Sequence, residues 1–226
     1  MAKKTKEKSI LTPHQKEVLE LISEEKYFTD RFYLAGGTAL AEFYLKHRIS
    51  EDLDFFSEKQ EVNPIPIIRF FESKSKILKL TKIETKRVFG LYSFFLNFQD
   101  KKVLKVDFNY YPFPRIEKGI KFKNLEIESI YDIGVDKVHT IALRPRARDF
   151  IDVYFIIKEK NFDFYDLLMQ AKAKFDWDIS PIELGARLME ASKMKDFPRM
   201  IKKIDHQEWQ NFFIEQAKKL KKEIFK

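Results

Sequence analysis

Between residues 103 and 109 apolar and polar positions alternate: Leu104, Val106 and Phe108 against Lys105, Asp107 and Asn109. That period of two predicts a half-buried strand, and the aromatic-rich run Val88 to Phe98 predicts its hairpin partner across the turn Gln99-Asp100-Lys101-Lys102. Elsewhere the period is helical. Thr12-Pro13-His14-Gln15 reads as a capped helix start, with Thr as cap, Pro at the first position and Gln reaching back; this helix runs to about Lys26. Ala39, Leu40, Phe43, Tyr44 and Arg48 recur at helical spacing, Pro64 and Pro66 open a helix to about Ile77, and a basic amphipathic helix spans Trp209 to Phe225. Short strands are expected at Phe32 to Leu34 and Leu53 to Phe56. From Tyr131 onward the chain reads as helical, with Val135 to Leu143 and a separate helix after Pro145, then a second capping box at Ser180-Pro181-Ile182-Glu183. The order gives an α+β protein: a mixed sheet with flanking helices over residues 1–130, then a helical lobe over 131–226.

Chemistry concentrates in residues 34–57. Gly36-Gly37-Thr38 stands where the predicted strand turns into the helix. Glycines allow a tight turn and let phosphate approach backbone N–H groups, and the start of a helix favours negative charge. Thr38 adds a hydroxyl and is an acceptable N-cap. Asp52 and Asp54, two apart in a strand, project to one side, while Leu53 and Phe55 enter the core. Two adjacent carboxylates repel unless a cation lies between them, and magnesium is the natural hard cation for oxygen ligands. Taken singly, the diglycine is a capped turn and Asp-x-Asp the wet face of an edge strand. Their order and spacing together favour an enzyme that moves a nucleotide or phosphoryl group.

The segment resembles the nucleotidyltransferase superfamily pattern, in which Gly-Gly-Ser/Thr precedes Asp-x-Asp by about ten residues. Its wording is similar to the AbiEii-type nucleotidyltransferase toxins, which include the MenT toxins: Gly36 to Leu40, then His47, Arg48, Ser50 and Asp52 to Phe56. The resemblance implies a nucleotidyltransferase-like sheet, with Asp52 and Asp54 holding two magnesium ions, or manganese in their place. It implies that Asp107 is a third carboxylate, a ligand or the acceptor of the hydroxyl proton. Lys137 would hold the nucleoside triphosphate together with Gly36, Gly37, Thr38, Ser50 and Arg148. Asp152, and with it Asp149, would complete the active site or fix the lysine and arginine. The helical spacing also lets Arg148 pair with Asp152. By the same resemblance the acceptor would be an RNA, a tRNA 3′ end, and the partner a cognate antitoxin. Transfer to a small molecule or protein, and a non-catalytic nucleic-acid-binding module, are the alternatives.

Composition narrows the classes. The chain has 226 residues, 44% of them hydrophobic, enough for a sizeable core. It has no cysteine, hence no disulfide, and His14, His47, His139 and His206 lack the spacing of structural zinc. The Lys-rich N-terminus lacks an apolar signal core and no apolar run approaches a membrane span, so a cytoplasmic protein is expected. Of the net charge of +8, residues 1–10 carry +3 (four lysines, one glutamate). Residues 199–226 carry +4, from eight Lys/Arg and four Asp/Glu. Basic ends suit nucleic-acid contact or simple solubility, and Tyr110 to Arg115 is either a base-stacking segment or a packed loop.

Overall fold

A computed structural model describes residues 9–224, with side chains to residue 220; of the basic ends, residues 1–8, the side chains of Lys221 and Lys222, and Lys226 lie outside what is described. The chain begins with α1 (Pro13–Glu24) and α2 (Lys26–Thr29), then β1 (Tyr33–Ala35), which turns directly into α3 (Gly36–Leu40). Next come β2 (Leu53–Ser57), α4 (Pro64–Leu78), β3 (Leu80–Val88), β4 (Leu91–Phe98) and β5 (Val103–Tyr110). Two short strands follow, β6 (Ile120–Phe122) and β7 (Leu125–Ile127). The rest is helical: α5 (Ile130–Leu143), α6 (Ala147–Lys160), α7 (Phe164–Phe175), α8 (Pro181–Met189) and α9 (His206–Ile224).

The strands form one mixed sheet in the order β3-β4-β5-β2-β1-β7-β6. Parallel pairs β2–β5 and β1–β7 are joined by antiparallel neighbours. The α+β architecture read from the sequence is therefore present. The two capping boxes form as read, at Thr12 with Gln15 and at Ser180 with Glu183. The hairpin turn before β5 also forms, with Lys101 in the left-handed region at φ 65°.

Two local expectations are corrected. Within the run Val88–Phe98 the strand is β4, from Leu91; Val88 is the last residue of a preceding strand, β3, because Phe89 takes φ 51° and turns β3 into β4. β3 is an edge strand with mostly exposed side chains, so it carries no alternation to read. The helix after the diglycine does not reach Arg48. It widens into a π turn over Ala41–Leu45, and Lys46 (φ 51°) ends it in the left-handed region. Residues 47–49 then run extended and bridge to the segment around Met200. β6 and β7, three residues each, are too short for a period to show.

Alternation along β5 decides which face is core. Leu104, Val106 and Phe108 are buried, while Lys105 and Asp107 project to the other side. Phe108 is an aromatic hub, stacked on Phe55 (ring centroids 5.0 Å) and packed against Phe28, Phe32 and Phe94. The buried core continues from these rings through α5 and α6 to Phe150, Trp209 and Phe213. The boundary expected near residue 130 coincides with the N-cap of α5, Ser129, but the hydrophobic core runs across it. Phe108→Ala should cost roughly 3–5 kcal/mol, the range for a fully buried aromatic, read as a lowered midpoint in urea unfolding at unchanged slope.

Candidate active site

The polar face of β2 and β5 forms the floor of a cleft of about 680 Å3, roofed by α5 and α6. Strand register assembles the floor. Asp54 lies opposite Asp107 in the parallel β2–β5 ladder and opposite Ala35 in the antiparallel β1–β2 ladder. Asp52 immediately precedes β2 and also lines the cleft. Asp52, Asp54 and Asp107 are thus together on one wall. The Asp54 carboxyl is pushed up to about 6 by desolvation and by repulsion from Asp107 and Asp52. Asp107 is buried, and its Oδ1 has no hydrogen-bond partner.

Lys105 answers part of that repulsion. Its ammonium lies 2.5 Å from Asp107 Oδ2 and 3.9 Å from Asp52 Oδ2. Burial works against its charge, yet the bond to Asp107 and the surrounding carboxylates hold its pKa above the ordinary lysine value. Among the described residues no three candidate ligands already converge on one point at metal-binding distance. The donor set nevertheless fits a hard cation: hard oxygens only, an Asp107 oxygen without a partner among the described residues, and an Asp54 carboxyl raised by burial and then by its like-charged neighbours. Lys105 was missed from sequence, though its place two residues before Asp107 puts both on one strand face.

The diglycine stands against this floor for steric reasons. Gly36 takes φ 67°, and a Cβ there would lie 3.0 Å from Asp54 Oδ2. At Gly37 a Cβ would lie 2.7 Å from Arg48 Nη2 and 3.1 Å from Ser50 Oγ. Neither position has room for a side chain, so carboxylate, guanidinium and hydroxyl all sit on bare backbone. Thr38 behaves differently from expectation. The helix begins at Gly36 with Ala35 as cap, and the Thr38 hydroxyl is buried, donating to the carbonyl of Asp52. It ties the start of α3 to the start of β2 and does not line the cleft.

The opposite wall is an ion-pair network. Lys137 of α5 lines the cleft, with its ammonium 2.6 Å from Asp149 Oδ1 and 3.1 Å from Asp152 Oδ2. Asp152 is fully buried behind it. Arg48 Nε and Nη2 donate to its two oxygens at 2.6 and 2.7 Å, and His47 Nε2 lies 2.8 Å from Oδ1. The expected Arg148–Asp152 pair is therefore replaced by a bidentate Arg48–Asp152 pair. Arg148 lines the cleft, where its charge acts on Asp52. Asp152 is a positioning residue with no exposed atom, whereas Asp149 reaches the cleft wall. Burial alone would raise the Asp152 carboxyl, but Arg48 and Lys137 hold it well below the usual carboxylate range. His47 is lowered by burial against the opposing pull of Asp152. Arg146 and Arg199 stand at the mouth. Tyr111 of the aromatic segment lines the cleft, and Phe113 packs on Phe175.

A floor of three carboxylates, a glycine turn and a lysine-bearing wall define a nucleotidyltransferase-type site on a nucleotidyltransferase-type sheet. The chain belongs to the AbiEii nucleotidyltransferase toxin family of type IV toxin–antitoxin systems, whose model matches residues 21–222. A protein of Aquifex aeolicus named only as uncharacterized protein aq_aa25 is 30% identical over 168 residues, covering 73% of this chain and 76% of the relative. In fold the chain is similar to a proposed nucleotidyltransferase from Helicobacter pylori. The TM-score there is 0.59 at 22% identity, covering 94% of this chain and 97% of that one. It is also similar to JHP933 from Helicobacter pylori, with a TM-score of 0.57 at 23% identity, covering 93% and 91%.

Two stability measurements probe this electrostatic layout. Asp54→Asn should raise the melting temperature in metal-free buffer, because it removes one of three crowded negative charges. About 1 kcal/mol of relief corresponds to roughly 2–4 °C at this chain length. A lowered melting temperature would contradict it. For His47, the folded pKa lies below the ordinary 6.5. Below that value the unfolded chain binds more protons than the folded one, so stability contributed by neutral His47 is present above about pH 6.5 and is lost as pH falls. His47→Gln should flatten the decline in melting temperature between about pH 7 and about pH 5; an unchanged slope would remove His47 as its source.

Proposed function

We propose that the protein transfers a nucleoside monophosphate from a nucleoside triphosphate to an acceptor hydroxyl, the acceptor being RNA, a tRNA 3′ end. The observation that carries the reading is the Asp54–Asp107 register beside the Gly36–Gly37 turn, with Lys137 on the facing wall. In the reaction an oxygen of the acceptor bonds to the α-phosphorus, the bond from that phosphorus to the bridging oxygen of the β-phosphate breaks, and pyrophosphate leaves. Asp52, Asp54 and Asp107 would hold magnesium, which when bound supplies neutralisation of the triphosphate and of the departing charge. Lys137, aimed by Asp149 and Asp152, contributes a fixed positive charge on the triphosphate side. Backbone at Gly37 and the Ser50 hydroxyl beside it offer donors to phosphate oxygens. The Oδ1 of Asp107, without a partner among the described residues, would either complete the hold on magnesium or take the acceptor's proton.

Arg146, Arg148 and Arg199 at the cleft favour a polyanionic acceptor over a small neutral one. Family membership supports a role as the toxin of a pair, with a cognate antitoxin as partner. No described helix is long and apolar enough to cross a membrane.

The reading is tested by incubating purified protein with total tRNA, magnesium and each labelled nucleoside triphosphate in turn. RNA-sized labelled product is expected. Asp54→Ala should reduce it at least about a hundredfold, within the range for losing transition-state charge stabilisation. Lys137→Ala should impair nucleotide use far more than Lys218→Ala, whose exposed partner is Glu215. Label on protein or small molecules would redirect the acceptor assignment. Equal, small effects of the two lysine variants would remove Lys137 from the site.

A further inference from the structure

The cleft is also lined by Tyr111, Glu128, Ile133 and Asp136. None of these residues has a part in the transfer chemistry above. Glu128 is 1% exposed, and its Oε2 accepts the Gly36 N–H at 3.4 Å. Its Oε1 is buried and has no hydrogen-bond partner. Asp136 gives Oδ1 to Lys174 at 2.7 Å and has the Tyr111 hydroxyl beside it, while its buried Oδ2 finds no hydrogen bond of good geometry among the described residues. Lys174 is spent on Asp136 and Asp132. Tyr111 supplies a flat flank, held by Phe56 (ring centroids 4.7 Å) and Phe113 (5.0 Å).

Buried polar atoms are ordinarily satisfied within the protein. Here two carboxyl oxygens, on residues that line the cleft, have no well-aligned partner among the described residues. Both are acceptors, and they stand beside an aromatic wall. Their complement is a flat ring that donates N–H. We propose that Glu128 and Asp136 read the nucleobase of the bound nucleoside triphosphate, favouring bases that carry an exocyclic amino group and disfavouring uracil. This rests on the nucleotidyl-transfer reading. Adenine, cytosine and guanine each present an amino group, whereas the pairing edge of uracil sets carbonyls on both sides of its one N–H and turns acceptors toward acceptors. Burial raises both carboxyls above their ordinary range, and the Lys174 ammonium opposes that rise at each. Because the Glu128 carboxylate is bonded to Gly36, the base-reading group and the phosphate-holding turn form one unit.

Equilibrium binding of ATP, CTP, GTP, UTP and inorganic tripolyphosphate, with magnesium and without acceptor, tests the assignment. The native protein should bind the best amino-bearing nucleotide at least about tenfold more tightly than UTP, a modest value for a site built around hydrogen bonds. Glu128→Gln, which exchanges one acceptor for a donor, should narrow that gap. Asp136→Asn is the second variant should the first fail to fold. UTP bound by the native protein as tightly as the best of the other three overturns the proposal, as does an unchanged gap in the folded variants. In either case retained tripolyphosphate binding leaves the triphosphate site standing. Failure of the native protein to bind tripolyphosphate and all four nucleotides would remove the nucleotide reading and this proposal together.

Discussion

A buried carboxylate, Asp152, holds the site together. Taking an isolated charge out of water costs several kcal/mol, and it is tolerated only where partners surround it. Asp152 receives a two-pronged bond from Arg48, a contact from His47 and the ammonium of Lys137. These partners come from different parts of the chain: Arg48 and His47 from the extended link before β2, Lys137 from α5, and Asp152 itself from α6. One carboxylate thereby fixes the position of the sheet's leading strand relative to the helices that roof the cleft. The guanidinium fork matters because its planar geometry sets a direction as well as a charge. With Nε and Nη2 committed to Asp152, the Arg48 head group lies against Gly37, which is why that position cannot carry a side chain.

The front of the cleft has the opposite character. Asp52, Asp54 and Asp107 are crowded by strand register, and Lys105 offsets only part of their charge. Such a cluster weakens the folded state and is maintained by the ladders and the aromatic core beneath it. Behind the cleft the charges are paired; in front they are crowded and only partly offset. The two layers depend on each other. Lys137 and Asp149 face the cleft, but their orientation is set by Asp152, which does not.

Legibility from sequence followed the range of the interactions. The diglycine, the Asp-x-Asp and the alternation around Asp107 are local patterns, and the strands they imply lie where their periods put them. Capping boxes at Thr12 and Ser180 are local as well, and both formed. What could not be read was pairing across the fold. Arg48 and Asp152 are 104 residues apart, while Arg148, four residues from Asp152 on a helix, was the nearer but incorrect partner. Lys105 was visible as a neighbour of Asp107 but gave no sign of its role, because only the folded β2–β5 pair brings Asp52 within 3.9 Å of the same ammonium. Glu128 directly follows a three-residue strand that has no period of its own, so nothing local marks it as lining the cleft. β3 was hidden for a related reason: an exposed edge strand has no buried face to alternate.

The same long-range pairing bears on how the two halves relate. A catalytic part over 1–130 and a helical lobe over 131–226 describe the order of elements, but not independent units. The link at residues 47–49 pairs with the segment at 199–202 through backbone bonds from Ile49 to Arg199 and from Ile201 and Lys202 to His47. The hydrophobic core is continuous from the Phe108 rings to Trp209. Without the C-terminal residues Arg48 would have no carboxylate, the Gly37 turn would lose the group that lies on it, and Lys137 would be absent from the cleft. Asp152 draws on Arg48 of the first half as well as Lys137 of its own, so the cleft as described needs both halves folded together.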